Sequence, residues 1–423
     1  MLRKLGSAVG LLEPAVDISM TEVGATPAAL SVMHDEVVDG HEIRAKPSSP
    51  LKLKKQLSEY FAKEEADQAG FIEIKSKYYP AYAASLPSCE GKVFAITGCT
   101  SGTGYILAKT LVDKKATVVM LNRPSGRHEL ALSKLEALAV SCGAPAPVAI
   151  PCDLASFAKT RAAGEELHRR YGESGLDGLC CNAGIMGFTD DATEDGLDIQ
   201  MQSNHTGHFL LSKYAMPALE AAARLRGDAR VVNHSSALRA LPDTKWNNVL
   251  KEEYLAKNGG NLGGSKPGML KGPNYERYQQ SKLANVVFTY AMHDKLQAKG
   301  SNVKALVAHP GVAPTALHLN SMVGGETPPI PLPSCVFKWV MKTLLMHSEE
   351  DGTMGLLKCL CDPNASSGEF YGPVGNGYHG GKHDQRSYRG PAERLPEESL
   401  ADAKSRELLW EVSESVIGER FVI

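Results

Sequence analysis

With 423 residues and 46 basic against 48 acidic side chains, the chain can bury a large core, and its near-neutral balance gives no general electrostatic case for nucleic acid or an anionic membrane. Its nine cysteines form no CxxC pair and no Cys/His set at zinc spacing, which makes a reducing, intracellular setting the simplest reading. No uninterrupted apolar run reaches the roughly 18 residues of a membrane span, so a soluble protein without a transmembrane segment is expected.

Residues 1–89 read as an N-terminal extension. Its first fifty residues lack an apolar signal core and carry Glu13, Asp17, Glu22, Asp35, Glu36, Asp39 and Glu42. Transit peptides are poor in acids, so a cytoplasmic location is expected, with an organelle such as a plastid as the alternative that the opening "MLRKLGSAVGLL" keeps. The extension is expected to be partly disordered, with a charged helix near 50–67.

From Glu90 the pattern changes. "KVFAIT" reads as a buried strand, "TGCTSGTG" as a glycine loop, "YILAKTLVDKK" as a helix and "ATVVMLN" as a second strand, together a βαβ unit. The alternation continues through a helix near 129–142, "PVAIPCD", a helix over 156–171, "LDGLCCNAG" and a long helix from about Thr193 to Arg226. The strand "ARVVNHSS", a helix starting near Tyr278, "NVKALVAHPG", a helix over about 335–361 and "GEFYG" follow. Strands that read as continuous apolar runs predict an α/β fold, a doubly wound parallel sheet of Rossmann type in three α/β/α layers, spanning 90–423. Residues 237–274 read as a large surface insertion. In the C-terminal segment, the spacing of Leu408, Trp410, Val412 and Val416 predicts a helix against the sheet.

Gly98, Gly102 and Gly104 lie between strand and helix, where glycine lets a pyrophosphate approach the helix N-terminus. At the end of the second strand, where NAD-binding units place a carboxylate against the ribose, stand Asn122 and Arg123. A guanidinium can pair with a 2′-phosphate, so NADP(H) is expected over NAD.

"YQQSKLANVVF" places Tyr278 four residues before Lys282, so on a helix the ammonium shares a face with the phenol. A nearby cation favours phenolate, and Tyr278 is expected to have a lowered pKa suited to acid/base work. The same spacing recurs at Tyr105/Lys109, which sits on the helix after the glycine loop, and at Tyr378/Lys382, which sits in a glycine-rich loop; neither context suits catalysis. Ser235 and Ser236 end a strand at the ligand-binding face, and Asn204 is a polar residue among apolar helix neighbours. His205 and His208 lack a nearby carboxylate, so no metal is expected.

In this order the motifs "TGCTSGTG", "CNAG", "NHTGHFLL", "VVNHSS", "YQQSKLAN" and "HPGVAPT" resemble the short-chain dehydrogenase/reductase family over about residues 91–372. The likeness is greatest to its retinol-dehydrogenase-like and WW-domain-oxidoreductase-like branch, with the protochlorophyllide reductases as neighbours. The resemblance implies Tyr278 as acid/base, Lys282 as its activator and a partner of the nicotinamide ribose, Ser236 (or Ser235, one register away) for the substrate oxygen, and Asn204 for a water in a proton relay. It implies cofactor contacts from Ser101 and Thr103 beside the three glycines, Asp153 and Leu154 near the adenine, and Asn182, Ala183 and Gly184 along the cleft. Tyr278, Lys282, Pro310, Gly311 and Thr315 complete the nicotinamide end. His234 stands where many relatives have a small apolar residue, and a packed histidine is expected.

The expected activity is NADP(H)-dependent hydride transfer to or from a carbonyl or alcohol. Met186, Phe188 and the segment after Thr315 offer few charges, so the expected substrate is lipophilic. Light-dependent reduction of a tetrapyrrole and a noncatalytic NADP-binding role are the alternatives. Relatives often form dimers or tetramers, so a homo-oligomer is also an expectation.

Overall fold

The computed structural model describes residues 37–38, 41–42, 74–240, 249–264, 272–313, 346–375, 389–396 and 401–423. Two compact units divide the chain, Met1–Glu64 and Glu65–Ile423. In the first, Val37–Val38 pairs antiparallel with His41–Glu42. The helix expected near 50–67 lies outside the described residues, as do Thr315, the Tyr378/Lys382 pair and the start of the helix expected from 335.

The second unit is built on an eight-stranded sheet. Its strands are β1 (Val93–Thr97), β2 (Thr117–Asn122), β3 (Val148–Pro151), β4 (Gly178–Cys181), β5 (Ala229–His234), β6 (Val303–Ala308), β7 (Phe370–Pro373) and β8 (Ala392–Leu395). They lie in the order β8-β7-β6-β5-β4-β1-β2-β3, all parallel except for the antiparallel β7–β8 pair. The order reverses between β1 and β4, and a doubly wound sheet binds ligand at such a reversal, outside the carboxyl ends of the strands.

Alternate strand residues feed two separate cores, as the pleat requires. Phe94, Ile96, Val118, Met120, Val232 and Leu306 face one side, where α2 (Gly102–Asp113), α3 (Gly126–Cys142) and α8 (Glu349–Cys361) supply Leu107, Leu111, Leu135, Leu356 and Leu357. Ala95, Val119, Leu179, Val231 and Ala305 face the other, against α4 (Phe157–Tyr171), the helix from Ile199 to Arg226 (α5), α7 (Pro273–Lys299) and α9 (Ala403–Ile417). The doubly wound, three-layer α/β/α architecture is therefore observed.

Several boundaries differ from the sequence pattern. Helix α5 starts at Ile199 rather than near Thr193, because the Asp198 carboxylate accepts from Met201 N at 2.8 Å and caps it there. It then runs through a π-helical turn at Gln202–Thr206 before the regular segment Gly207–Arg226. Helix α7 begins at Pro273, with proline in the first turn where its missing N–H costs nothing. In α9 the buried pair is Leu409 and Trp410 rather than Leu408 and Trp410, and the helix packs on α7 and α5 instead of the sheet, joining Phe209, Phe288 and Phe421 in one aromatic cluster. Within 237–274, the short helix α6 (Glu252–Leu255) buries Tyr254 and Leu255, so this part of the expected surface insertion belongs to the core.

Residues ahead of β1 are also docked. Helix α1 (Tyr79–Ser85) follows a turn whose Lys77, Tyr78 and Tyr79 amides all donate to the Asp351 carboxylate at 2.9 Å, joined by the Ser76 hydroxyl at 3.0 Å. Asp351 is itself in the first turn of α8, so one buried carboxylate serves two helix N-termini. These hydrogen bonds hold its pKa below the ordinary carboxylate range against the opposing effect of burial. Replacing Asp351 by Ala should lower stability by about 2 kcal/mol and speed amide exchange over residues 77–85. The depressed carboxyl pKa means this contribution is full above about pH 4, the unfolded value, and is lost as pH falls through the lower folded value. The difference in thermal midpoint between wild type and Asp351→Ala should accordingly shrink on acidification.

Candidate active site

At the reversal point, the ends of β1 and β4 are sewn together by Asn182 and Thr97. Asn182 Nδ2 donates to the carbonyls of Thr97 and Gly98 at 2.9 and 3.0 Å, while its Oδ1 accepts from His234 Nδ1 at 2.9 Å and from the Thr103 hydroxyl at 3.2 Å. Thr97 Oγ1 accepts from the Asn182 and Ala183 amides, each at 3.0 Å, and donates to His208 Nε2 at 2.8 Å. Because the Asn204 carbonyl can only accept, His208 Nδ1 carries the proton it gives to that oxygen at 3.0 Å. Burial pushes His208 down to about 4 and His234 to about 3, so both rings are neutral hydrogen-bonding parts of this network.

The glycine loop is shaped by contact as well as by φ. Gly98 has φ +68°, and a Cβ there would lie 2.8 Å from Ala183 Cα; at Gly104 a Cβ would lie 2.2 Å from Gly98 O and 2.4 Å from Asn182 Nδ2. Ser101 precedes α2 in an extended conformation, and its side chain makes no cap hydrogen bond to the first-turn amides. The loop is held from behind by Asn122, whose Oδ1 accepts from Cys99 N at 2.9 Å while its Nδ2 donates to His128 Nδ1 at 3.2 Å. Arg123, the next residue, is exposed at the end of β2. Asp153 is half-buried just beyond β3, with Lys159 at 3.5 Å, and Leu154 is buried against Gly207 of α5.

On the other side of the crevice, the π-helical turn carries Asn204. Its Nδ2 donates to Ile185 O and Ser281 Oγ, both at 2.9 Å, and its Oδ1 accepts from Ile185 N at 2.8 Å. Ser281 in turn donates to Tyr278 O at 2.7 Å, so Asn204 ties the segment after β4 to the first part of α7. Lys282, one turn beyond Tyr278, donates from Nζ to His234 O at 3.1 Å. A Cβ on Gly184 would lie 3.0 Å from both Lys282 Nζ and Asn204 Oδ1, so the absence of a side chain there keeps the three groups together.

The two strand-end serines separate cleanly. Ser235 Oγ donates to Lys282 O at 2.7 Å and anchors α7, whereas Ser236 Oγ accepts from Leu238 N at 3.2 Å and lies on the Tyr278 side, where it acts on the phenol's pKa. Tyr278 is almost fully buried beside Met186, Tyr275 and Leu238. Burial pushes its phenol up to about 12, with the Ser236 bond opposing, and pushes Lys282 down to about 8. The expectation that Lys282 lowers the phenol is therefore corrected: Nζ sits 5.8 Å from the ring centroid and points to a carbonyl, and desolvation outweighs its field.

A nicotinamide dinucleotide fits this arrangement. Loop glycines that a Cβ would close, first-turn amides of α2 with no side-chain cap and an exposed arginine at the β2 end form a cradle for a phosphorylated ligand at the switch point. A family model described as short chain dehydrogenase matches residues 92–247. Retinol dehydrogenase 14 of Mus musculus is 29% identical over 338 residues, covering 78% of this chain and 86% of that protein. Its Homo sapiens counterpart is 33% identical over 239 residues, 54% of this chain and 63% of that protein. Polyprenol dehydrogenase of Danio rerio is 28% identical over 255 residues, covering 60% and 71%. The crystal structure of an uncharacterised protein from Mycobacterium paratuberculosis aligns with a TM-score of 0.56 at 26% identity, over 83% of this chain and all of that one. The chain resembles the short-chain dehydrogenase/reductase family. Members of this family are oxidoreductases that use a nicotinamide cofactor, and this chain resembles the retinol-dehydrogenase-like branch.

The structure gathers Asn204, Ser236, Tyr278, Lys282 and Gly184 around one end of the crevice and the glycine loop around the other. Pro310 and Gly311 follow β6 at the same edge, where Gly311 has φ +71° and donates to His309 Nδ1 at 3.1 Å. Tyr105 is half-buried and Lys109 exposed on α2, away from this group. Sequence reasoning missed Thr97 and His128, and it named Asn122 and His208 without seeing that they build the crevice from beneath. It also missed Arg277, which is fully buried and pairs with Asp198 at 2.5 Å while donating to the carbonyls of Phe188, Thr189 and Gly263. A basic residue directly before the tyrosine was the only available signal.

Replacing Gly104 by Ala should force the loop away from Asn182 and cost about 1–3 kcal/mol of stability, measured by urea unfolding. Gly143, which has φ +67° but no neighbour within 4 Å of its Cβ position, is the control: its Ala variant should report backbone strain alone.

Proposed function

We propose that the protein reduces a carbonyl group on a lipophilic small molecule with NADPH as hydride donor. The observation that carries this reading is the Tyr278 phenol, buried, neutral at physiological pH, beside the Ser236 hydroxyl and surrounded by Met186, Tyr275 and Leu238. A neutral phenol can give a proton to the oxygen of a carbonyl as hydride arrives at carbon, which makes reduction the favoured direction at neutral pH. Ser236 orients that oxygen, and Lys282 offers its ammonium toward Gly184 and the sugar side of the crevice. The cofactor, when bound, supplies the hydride.

The apolar wall around the phenol and the exposed Phe188 near its entrance support a substrate with little charge. The names of the retinol and polyprenol dehydrogenases point the same way, since both describe long apolar alcohols. For the cofactor, Arg123 supports NADPH: it is exposed at the end of β2, and the strand ends without a carboxylate that would repel a 2′-phosphate.

Lipophilic aldehydes and ketones mixed with enzyme and NADPH in the dark should consume absorbance at the reduced-nicotinamide band; turnover only under illumination, with a bound pigment, would favour tetrapyrrole reduction instead. Tyr278→Phe should lower kcat by about 10²-fold or more while NADPH affinity, read by fluorescence titration, stays within about twofold. Loss of binding together with loss of turnover would assign Tyr278 to structure. Arg123→Ala should weaken NADPH about tenfold and leave NADH unchanged, in keeping with one charge-assisted contact at an exposed site.

A further inference from the structure

After β4 the chain leaves the sheet at Cys181 and forms the apolar wall beside the phenol. From Ile185 to Thr189 side chains hold the backbone of this wall. Asn204 takes both the amide and the carbonyl of Ile185, Gln200 Oε1 accepts from Gly187 N at 2.9 Å, and Arg277 donates to the carbonyls of Phe188 and Thr189 at 2.7 and 3.2 Å. Arg277 stands directly before Tyr278 on α7, and its side chain is wholly buried.

A guanidinium carries five N–H donors in a rigid plane. Here every one has a direction: Nε meets Gly263 O at 3.1 Å, Nη1 meets Thr189 O and Asp198 Oδ1, and Nη2 meets Phe188 O and, at 3.5 Å, Gly264 O. Three elements are thereby fixed to one turn of α7. They are the wall at 188–189, the strap at 263–264, and the start of α5, which Asp198 caps. Asp190 joins wall to strap a second time by accepting from Gly263 N. The strap is pressed close as well, since a Cβ on Gly264 would lie 2.3 Å from Asn274 N.

We propose that Arg277 is a positioning residue that sets the chain-length preference for the substrate, by fixing the outer wall at Phe188 and the strap relative to the Tyr278 phenol. Consecutive helix residues point about 100° apart, so one peptide lets Arg277 grip the wall while Tyr278 faces the crevice. Met186, beside the phenol, lies between Ile185 and Gly187, which Asn204 and Gln200 hold; Arg277 acts further out, where Phe188 is exposed. A long apolar chain that reaches Phe188 depends on this grip, and a short one does not. Lysine is no substitute, because three donors on one nitrogen cannot serve acceptors spread around a plane. The assignment rests on the carbonyl-reductase reading above.

Removing the arginine alone would leave Asp198 buried without its partner, so the variant is Arg277→Met combined with Asp198→Asn, in which asparagine keeps an acceptor for Met201 N. With NADPH, its ratio of kcat/KM for decanal to that for propanal should fall about tenfold, chiefly through KM for decanal, while NADPH affinity stays within about twofold. Amide exchange should quicken over 185–190 and 263–264 and stay unchanged over 97–104. Arg277→Lys should lower the ratio too. Phe188→Ala, at an exposed site that leaves the buried pair intact, should lower it without unfolding the protein. An unchanged ratio in the paired variant or in Phe188→Ala, with wild type active on both aldehydes, would overturn the assignment alone, as would equal losses on both aldehydes together with weaker NADPH binding. Wild type that reduces neither aldehyde would instead remove the reductase reading, and this assignment with it.

Discussion

The hydrogen bonds of the Asn182 side chain set the spacing on which the active-site geometry depends. One amide group bridges the ends of β1 and β4 through the Thr97 and Gly98 carbonyls and reaches the first turn of α2 through Thr103 and the end of β5 through His234. All four of its hydrogen-bonding positions are used on protein, so it acts chiefly as a clamp across the reversal point. The clamp is cross-braced. His234 O accepts from Lys282 and Asn285, which binds α7 to the same strand end, and His208 links Thr97 to the π-helical turn that carries Asn204. Glycine loop, Asn204 and α7 are therefore referenced to one another through buried, neutral groups, whose hydrogen bonds are strong because water is excluded.

Much of this was legible in the sequence, and the reasons it was or was not are physical. Strands buried on both faces leave continuous apolar runs, and glycine between strand and helix marks the crevice, so the order of elements and the place of Gly98, Gly102 and Gly104 follow from pattern alone. Asn204 stood out as a polar residue in an apolar helix. Its π-helical turn did not, because an extra residue in one turn changes no periodicity that a short window can resolve. Arg277 and Asp198 were invisible for another reason: each reads as a surface charge, and only the tertiary fold shows that they neutralise one another in the interior. The docked turn at 76–79 depends on Asp351, far along the chain, and local sequence carries no trace of so distant an acceptor.

The tyrosine–lysine pair shows how a correct motif can carry an incomplete electrostatic argument. Spacing by four places both residues on one helix face, but charge acts through the distance between a hydroxyl and an ammonium, and the long lysine stem can aim elsewhere. Here it aims at the His234 carbonyl. Burial then works on both partners at once, favouring neutral phenol and neutral amine, with the charged forms penalised by the same dry surroundings. An enzyme that must donate a proton at neutral pH benefits from the first shift. Lys282 is pushed down only to about 8, and its Nζ keeps one protein acceptor, the His234 carbonyl.

Helix α8 connects the two edges of the sheet. Its first turn receives the Ser76–Tyr79 segment through Asp351, and Thr353, whose hydroxyl donates to Glu349 O at 2.8 Å, lies 3.5 Å from the carbonyl of Thr103. Its last turn supplies the Cys359 carbonyl to Arg230 at 3.0 Å. At about 1.5 Å per residue a helix of this length is a rod of roughly 20 Å, packed along its side against the sheet and α2. The segment before β1 is fastened near both ends, once by hydrogen bonds to the Asp351 carboxylate and once by the Cys89 amide, which donates to Lys114 O at 2.7 Å. Between those points the segment adds the Tyr79 hydroxyl against Thr110 Oγ1 at 2.6 Å and the Ala84 carbonyl accepting from Lys114 Nζ at 3.4 Å, both on α2 or its C-terminal end, so releasing Asp351 would free one end of the segment while its contacts to the helix that follows the glycine loop remain.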